Sequence, residues 1–263
     1  MLFWPSSACA ATQRREPRCS VFCWCRFLWC LLLGLVASAT HLGNPENALY
    51  VLAQVGRSPL SNEVLAAVAF IGCAGIGWMS QFAEHRRLRL ERLLRGLSAV
   101  AAIALVLAIA FAYAARTVET WDTPWVPAAL VLNGILGGAM LAFAVLRWVE
   151  WPPLQKGFGR GLLIAAGAAL AASTVVYGFQ GHVLAALGNY TVPAGQLVPH
   201  FELFVVAYGL LSLAGVGLDA TGLRSERLPS PARATVACLL VLAGIFVMRF
   251  TFYLMHLTVG MTW

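Results

Sequence analysis

Long apolar runs alternate with short polar segments along this chain. The runs have the length that a bilayer core of about 30 Å demands of a spanning helix. Seven such runs are read: Val21–Thr40, Val64–Ala83, Gly96–Ala115, Pro127–Val149, Gly161–Phe179, Leu203–Leu218 and Thr235–Thr258. The expected fold class is all-α, a polytopic transmembrane helix bundle of about seven spans. It forms a single membrane domain over residues 21–263, behind an atypical tail of residues 1–20. Small residues interrupt most runs, as in "FIGCAGIG" (Phe70–Gly77) and "NGILGGAM" (Asn133–Met140), and mark faces where helices pack closely. No loop is long enough to fold alone.

Composition agrees. Hydrophobic residues make up 60% of the 263, charged residues 11%, and mean hydropathy is +0.77. A soluble domain carries about twice that share of charge. The net charge of +7 therefore reports orientation in the membrane and gives no reason to expect nucleic acid as a partner. Arg86, Arg87, Arg89, Arg92 and Arg95 fall in one set of connections with Arg147, Lys156, Arg160, Arg224, Arg227 and Arg233. Arg14, Arg15 and Arg18 of the tail join them, making fourteen of the eighteen basic residues. The opposite loops hold only Arg57 and Arg116. The positive-inside rule then puts the N-terminus in the cytoplasm and the C-terminus outside, as seven spans require. The run "HRRLRLERLLR" (His85–Arg95) reads as a topological anchor.

Metal chemistry finds little support. Cys19, Cys23, Cys25 and Cys30 are spaced C-x3-C-x-C-x4-C, which matches neither a zinc ribbon nor a ferredoxin pattern. They are interleaved with Phe22, Trp24, Phe27 and Trp29, as on a lipid-facing helix. No H-E-x-x-H pair occurs. A b-haem needs two His facing each other at one depth, and no span holds two.

One polar-rich stretch stands out near the start: "HLGNPENALYVLAQVGRSPLSNEV", His41–Val64, an outward-facing connection between the first two spans. Ionisable groups at membrane depth are costly and are therefore functional candidates. Ser61 or Asn62 is a plausible N-cap, which makes Glu63 the start of the second span. A carboxylate there is favoured by the helix dipole alone, but at the hydrocarbon boundary it can also take and release a proton. His41 closes the first span, either as a helix-end imidazole or as a hydrogen-bond partner for a ligand oxygen. Arg249 and His256, seven residues apart in the last span, share a helical face, with Tyr253 between them. Glu119, Asp122, His182, His200 and Glu202 have weaker claims on the same side.

The segments "HLGNP" (His41–Pro45), "LSNEV" (Leu60–Val64) with "GIGW" (Gly75–Trp78) beyond it, and "RFTFYLMHLTVGM" (Arg249–Met261) resemble, in the same order, those of a known family. It is the membrane-anchor (DmsC) subunit of dimethyl sulfoxide reductase-type molybdoenzymes. The resemblance runs from about His41 to the C-terminus. It implies a helix bundle in the bacterial cytoplasmic (inner) membrane that binds menaquinol near the outer face and oxidises it. Electrons pass to an iron–sulfur subunit and then to a molybdopterin catalytic subunit, and the anchor itself carries no haem or metal. The anchor alone does not catalyse the terminal reduction. The family's quinol-associated His and Glu fall on His41 and Glu63 here. Where the family has basic residues after the first motif, this chain has Asn47 and Gln54, and Arg57 lies one helical turn beyond Gln54. The family normally has eight spans, and this chain has room for seven, the first being the one missing. The family's second span runs directly into "HLG", so Val21–Thr40 is read as retained, although Ala37-Ser38-Ala39 resembles a signal-cleavage site.

The resulting expectation is that Glu63 takes a proton from a quinol hydroxyl while His41 orients the ring. Arg57, Arg249, Tyr253 and His256 are further quinol-binding candidates, and Phe70 and Trp78 line the apolar part. Rival readings are an anchor for a related polysulfide or nitrite reductase complex, a purely structural anchor, and a transporter. A transporter would show internal repeats or midplane charges, and neither is evident.

Overall fold

The computed structural model describes residue 33 and residues 45–83, 87–154, 157–188, 193–224 and 228–257. Every regular element among the described residues is helical, and an isolated antiparallel bridge joins Gly188 to Pro193. Six of the helices are long and apolar enough to cross a bilayer. They are α1 (Pro59–Met79), α2 (Leu88–Ala112), α3 (Trp125–Trp148), α4 (Phe158–Ala186), α5 (Phe201–Arg224) and α6 (Pro231–Leu254). Short 3₁₀ segments cover Pro45–Gln54, Ser80–Phe82, Pro152–Leu154 and Ala194–Gln196. The expected span Val21–Thr40 lies outside the described residues apart from Leu33, which is helical and exposed.

The other six expected spans all form, and their ends follow local chemistry more than hydropathy. Helix α1 starts at Pro59, not at Val64, because Ser58 is extended and a proline in the first turn gives up no needed N–H. Ser61 and Asn62 are thus inside the helix and do not cap it. Helix α2 begins at Leu88 and carries much of the basic run on its first turns. There the buried Glu91 pairs with Arg95 at 3.2 Å. Ser230 caps α6, its hydroxyl accepting from the Arg233 N–H at 3.2 Å, with Pro231 next in sequence. At its far end α6 stops at Leu254, short of the expected Thr258.

The chain divides into two compact units, with the boundary between Ile109 and Ala110. In the first, the 3₁₀ segment Pro45–Gln54 packs on α1, and Gly77 of α1 lies against Leu94 of α2. The other glycines of "FIGCAGIG", Gly72 and Gly75, face open space, so most of that stripe does not pack against a neighbouring helix.

The second unit is a ring of four helices. Each of α3 to α6 packs on the next, and α6 returns to α3. Leu136, Met140, Phe143, Tyr208, Val241 and Met248 are almost wholly buried at its centre. Backbones come closest between α5 and α6. Gly215 faces the Ala237 carbonyl and Val241, and Gly244 faces the Ser212 hydroxyl and the Tyr208 carbonyl. Small residues permit this approach where apolar side chains gain nothing by leaving lipid. Gly137, from the expected packing face "NGILGGAM", meets Leu242 and Ile245 of α6.

Candidate functional site

In the first unit, Glu63 stands one turn inside α1 and is half-buried. It is not a first-turn carboxylate, so the helix dipole has less hold on it than its place in the sequence implies. The turn leading into the helix is built locally. Gly56 adopts a left-handed φ of 83°, and its N–H donates to Asn62 Oδ1 at 2.7 Å. The Arg57 and Ser58 N–H groups both donate to the Gln54 carbonyl at 3.0 Å. The Arg57 side chain is exposed, and among the described residues no ion pair joins it to Glu63. Phe70 is buried two turns further along α1. Trp78, edge-on to Phe82 at 5.0 Å, is roughly 22 Å from Glu63 along the helix. His41 lies outside the described residues.

In the second unit, an aromatic cluster surrounds Arg249. Its guanidinium lies 4.8 Å from the ring centres of Tyr113 and Phe252, and 5.9 Å from that of Tyr253. Arg249 is therefore held by rings and does not simply extend to the interface. The Tyr113 and Tyr253 hydroxyls share a hydrogen bond of 2.8 Å. Trp121 stacks on Phe252 at 4.5 Å, and its indole N–H donates to the Phe252 carbonyl at 3.2 Å. His256 meets the edge of Trp121 at 5.0 Å. It lies beyond the end of α6, so Arg249 and His256 do not share one helical face. Thr120 donates to the Met255 carbonyl, and the Glu119 N–H donates to the Leu257 carbonyl at 3.0 Å, so the loop before α3 holds the segment after α6 in place of a further helical turn. Trp125 stacks on Phe179 at 4.7 Å. His200 Nδ1 lies 3.4 Å from the Glu202 carboxylate, and both side chains are exposed. His182 is also exposed, on α4.

Behind this cluster is a cavity of about 10 Å³, the room for one water, lined by Tyr177, Gln180, Arg249 and apolar neighbours including Met248 and Phe252. From its wall a buried polar chain crosses the helix ring. Asn133 of α3 donates through Nδ2 to the Tyr177 hydroxyl at 2.5 Å, and its Oδ1 accepts from the Tyr208 hydroxyl at 3.0 Å. Tyr208 and Ser173 share a hydrogen bond of 2.5 Å, and Ser173 also reaches the Leu170 carbonyl at 3.0 Å. None of these four side chains is among the candidate site residues named above. Their signal was there to find: an amide and three hydroxyls well inside apolar runs.

A second buried polar group lies toward the other end of this unit. Asp219 of α5 is fully buried, and among the described residues neither carboxylate oxygen has a hydrogen-bond partner. Arg233 nearby donates instead to Thr221 at 2.5 Å and to the Leu218 carbonyl. The expected span ended at Leu218; the helix runs on to Arg224 and brings Asp219 inside it.

Known proteins resemble the chain across nearly all of this architecture. The family model described as DMSO reductase anchor subunit (DmsC) matches residues 7–255. The chain belongs to that anchor-subunit family. The match takes in residues ahead of His41, where the resemblance in motifs began. The C chain of the anaerobic dimethyl sulfoxide reductase of Escherichia coli (strain K12) is 33% identical over 248 residues, covering 90% of this chain and 83% of its own. The anaerobic dimethyl sulfoxide reductase chain YnfH of the same organism is 32% identical over 236 residues, with 89% and 82% covered. The C subunit of the sulfite dehydrogenase of Allochromatium vinosum is 32% identical over 133 residues, 46% of this chain and 41% of its own. No solved structure matches the chain. As an anchor-subunit family member with six apolar helices, the protein is a multi-pass membrane protein.

Proposed function

We propose that this anchor binds menaquinol near the outer face of the bacterial cytoplasmic membrane, oxidises it, and passes the electrons to an iron–sulfur subunit that feeds a molybdopterin catalytic subunit. Membership of the DMSO reductase anchor family supports the class of complex. The observation that carries the chemistry is Glu63, a half-buried carboxyl inside α1 that forms no ion pair among the described residues. Such a group is free to accept a proton from a quinol hydroxyl, which the hydroxyl must lose as electrons depart. His41 would hold an oxygen and orient the ring, and Arg57, on the turn before α1, is available to a ligand oxygen. In the second unit Arg249, Tyr253 and His256 offer donors among aromatic rings suited to a flat headgroup.

The distribution of Lys and Arg supports an N-terminus in the cytoplasm and a C-terminus outside. Protons released at Glu63 then leave to the outside. If the electrons are also used there, no charge crosses the bilayer and turnover is electroneutral.

Glu63→Gln in the assembled complex tests the reading. The complex is expected to assemble while menaquinol-dependent electron flow falls about a hundredfold or more, the usual contribution of a positioned base. Unchanged flow removes Glu63 from the mechanism. A second reading keeps the quinone site but reverses the flow, with a catalytic partner that oxidises its substrate and an anchor that hands the electrons to quinone. Its support is the partial match to a sulfite dehydrogenase subunit, and assaying the purified complex with sulfite plus quinone and with dimethyl sulfoxide plus quinol separates the two.

A further inference from the structure

The buried chain Ser173–Tyr208–Asn133–Tyr177 can be hydrogen-bonded in either of two directions. In the first, Ser173 donates to Tyr208, Tyr208 to Asn133 Oδ1, and Asn133 Nδ2 to the Tyr177 oxygen. Tyr177 then has its own O–H left to donate elsewhere. A half-turn of the Asn133 amide exchanges Oδ1 and Nδ2, groups of nearly the same shape. Tyr177 now donates to Oδ1, Nδ2 donates to Tyr208, Tyr208 to Ser173, and Ser173 to the Leu170 carbonyl 3.0 Å away. In each state Asn133 Oδ1 accepts, Nδ2 donates, and the Tyr208 and Ser173 hydroxyls each find an acceptor, so the two states are alike in buried pairing. They differ at the end of the chain, where Tyr177 is a donor in one and an acceptor in the other.

Tyr177 also lines the small cavity, together with Arg249 and Gln180. A space for one water cannot hold a ring, but it can take a single oxygen substituent at its mouth. A quinone carbonyl oxygen only accepts, from Arg249 and from Tyr177. A hydroquinone hydroxyl accepts from Arg249 and must itself donate. Gln180 can offer either edge of its amide, and Arg249 can only donate.

We propose that the cavity beside Tyr177 receives one oxygen of the quinol headgroup, and that reversal of the Asn133 chain lets Tyr177 accept from the hydroquinone and donate to the quinone. This rests on the quinol reading above and adds Tyr177 as a binding residue, with Asn133, Tyr208 and Ser173 as positioning residues behind it. No proton is gained or lost by the chain; the hydrogen bonds only turn around.

Ser173 makes the idea testable at a distance from the ligand. Ser173→Ala leaves the first direction intact, but in the second it leaves the Tyr208 O–H without an acceptor. The variant is therefore held in the state in which Tyr177 donates. The probes are 2-methyl-1,4-naphthoquinone and its hydroquinone, titrated anaerobically against the complete complex. Ser173→Ala is expected to weaken hydroquinone binding about fivefold and leave quinone binding unchanged. Tyr177→Phe is expected to weaken both forms. An equal effect of Ser173→Ala on the two forms, or none, overturns the reversal, and unchanged binding in Tyr177→Phe overturns the oxygen site. If the unaltered complex binds neither form, the quinol reading itself fails and this inference goes with it.

Discussion

The two compact units use their helices differently. In the second, between 28% and 44% of the most apolar stretch of each span is buried, whereas in α1 and α2 the shares are 11% and 17%. The second unit thus has a core of its own, and polar groups are set within it by packing from several helices. The first leaves most of its apolar side chains facing outward. Glu63 is positioned there by the helix that carries it and by a short turn. The difference teaches that the family's motif residues need not lie where the fold is best packed. A proton acceptor works at an accessible boundary, and a hydrogen-bond chain needs a dry interior.

Substitutions at matched positions sharpen this contrast. The largest effect is expected from Gly244→Leu, which drives a side chain into the Ser212 hydroxyl and the Tyr208 carbonyl. A loss of about 3 kcal/mol or more is expected, read as a lower unfolding temperature or failed assembly in detergent. Asn133→Leu comes next, since it strips the Tyr177 and Tyr208 hydroxyls of a buried partner. It is expected to cost about 2–4 kcal/mol by the same measurement. Arg249→Gln removes the contacts to three rings and should cost about 1–2 kcal/mol, together with weaker binding of a naphthoquinol. The smallest effect is expected in the first unit. Gly75→Ala meets nothing within 4 Å and should be neutral or stabilising by up to about 1 kcal/mol. A large loss there, matching that of Gly244→Leu, would erase the contrast between the units.

Much of the fold could be read from the alternation of apolar and polar segments, because a spanning helix needs its whole length apolar. Six runs became six helices. Their ends were harder to read. Pro59 and Pro231 start helices several residues before the hydrophobic stretch does, and α5 carries Asp219 beyond the expected limit. The candidate residues divided along similar lines. Glu63 and Arg249 are conspicuous in one dimension, as charges in apolar surroundings. Asn133, Ser173, Tyr177 and Tyr208 each stand out as a polar group in an apolar run, but only the closure of the helix ring brings them together. His256 failed for a different reason: helical periodicity assigned it a face, but the helix ends before reaching it.

The hydrogen bonds between the loop at Glu119–Trp121 and the segment from Phe252 to Leu257 have a consequence for biosynthesis. Thr120 and Met255, one such pair, are 135 residues apart in the chain. The earliest loop of the second unit is thus tied to the segment that follows α6, and closing so long a stretch is slow. Trp121 cannot reach its resting place on Phe252 until α6 has been made, so the four-helix ring matures only after the ribosome has delivered that helix.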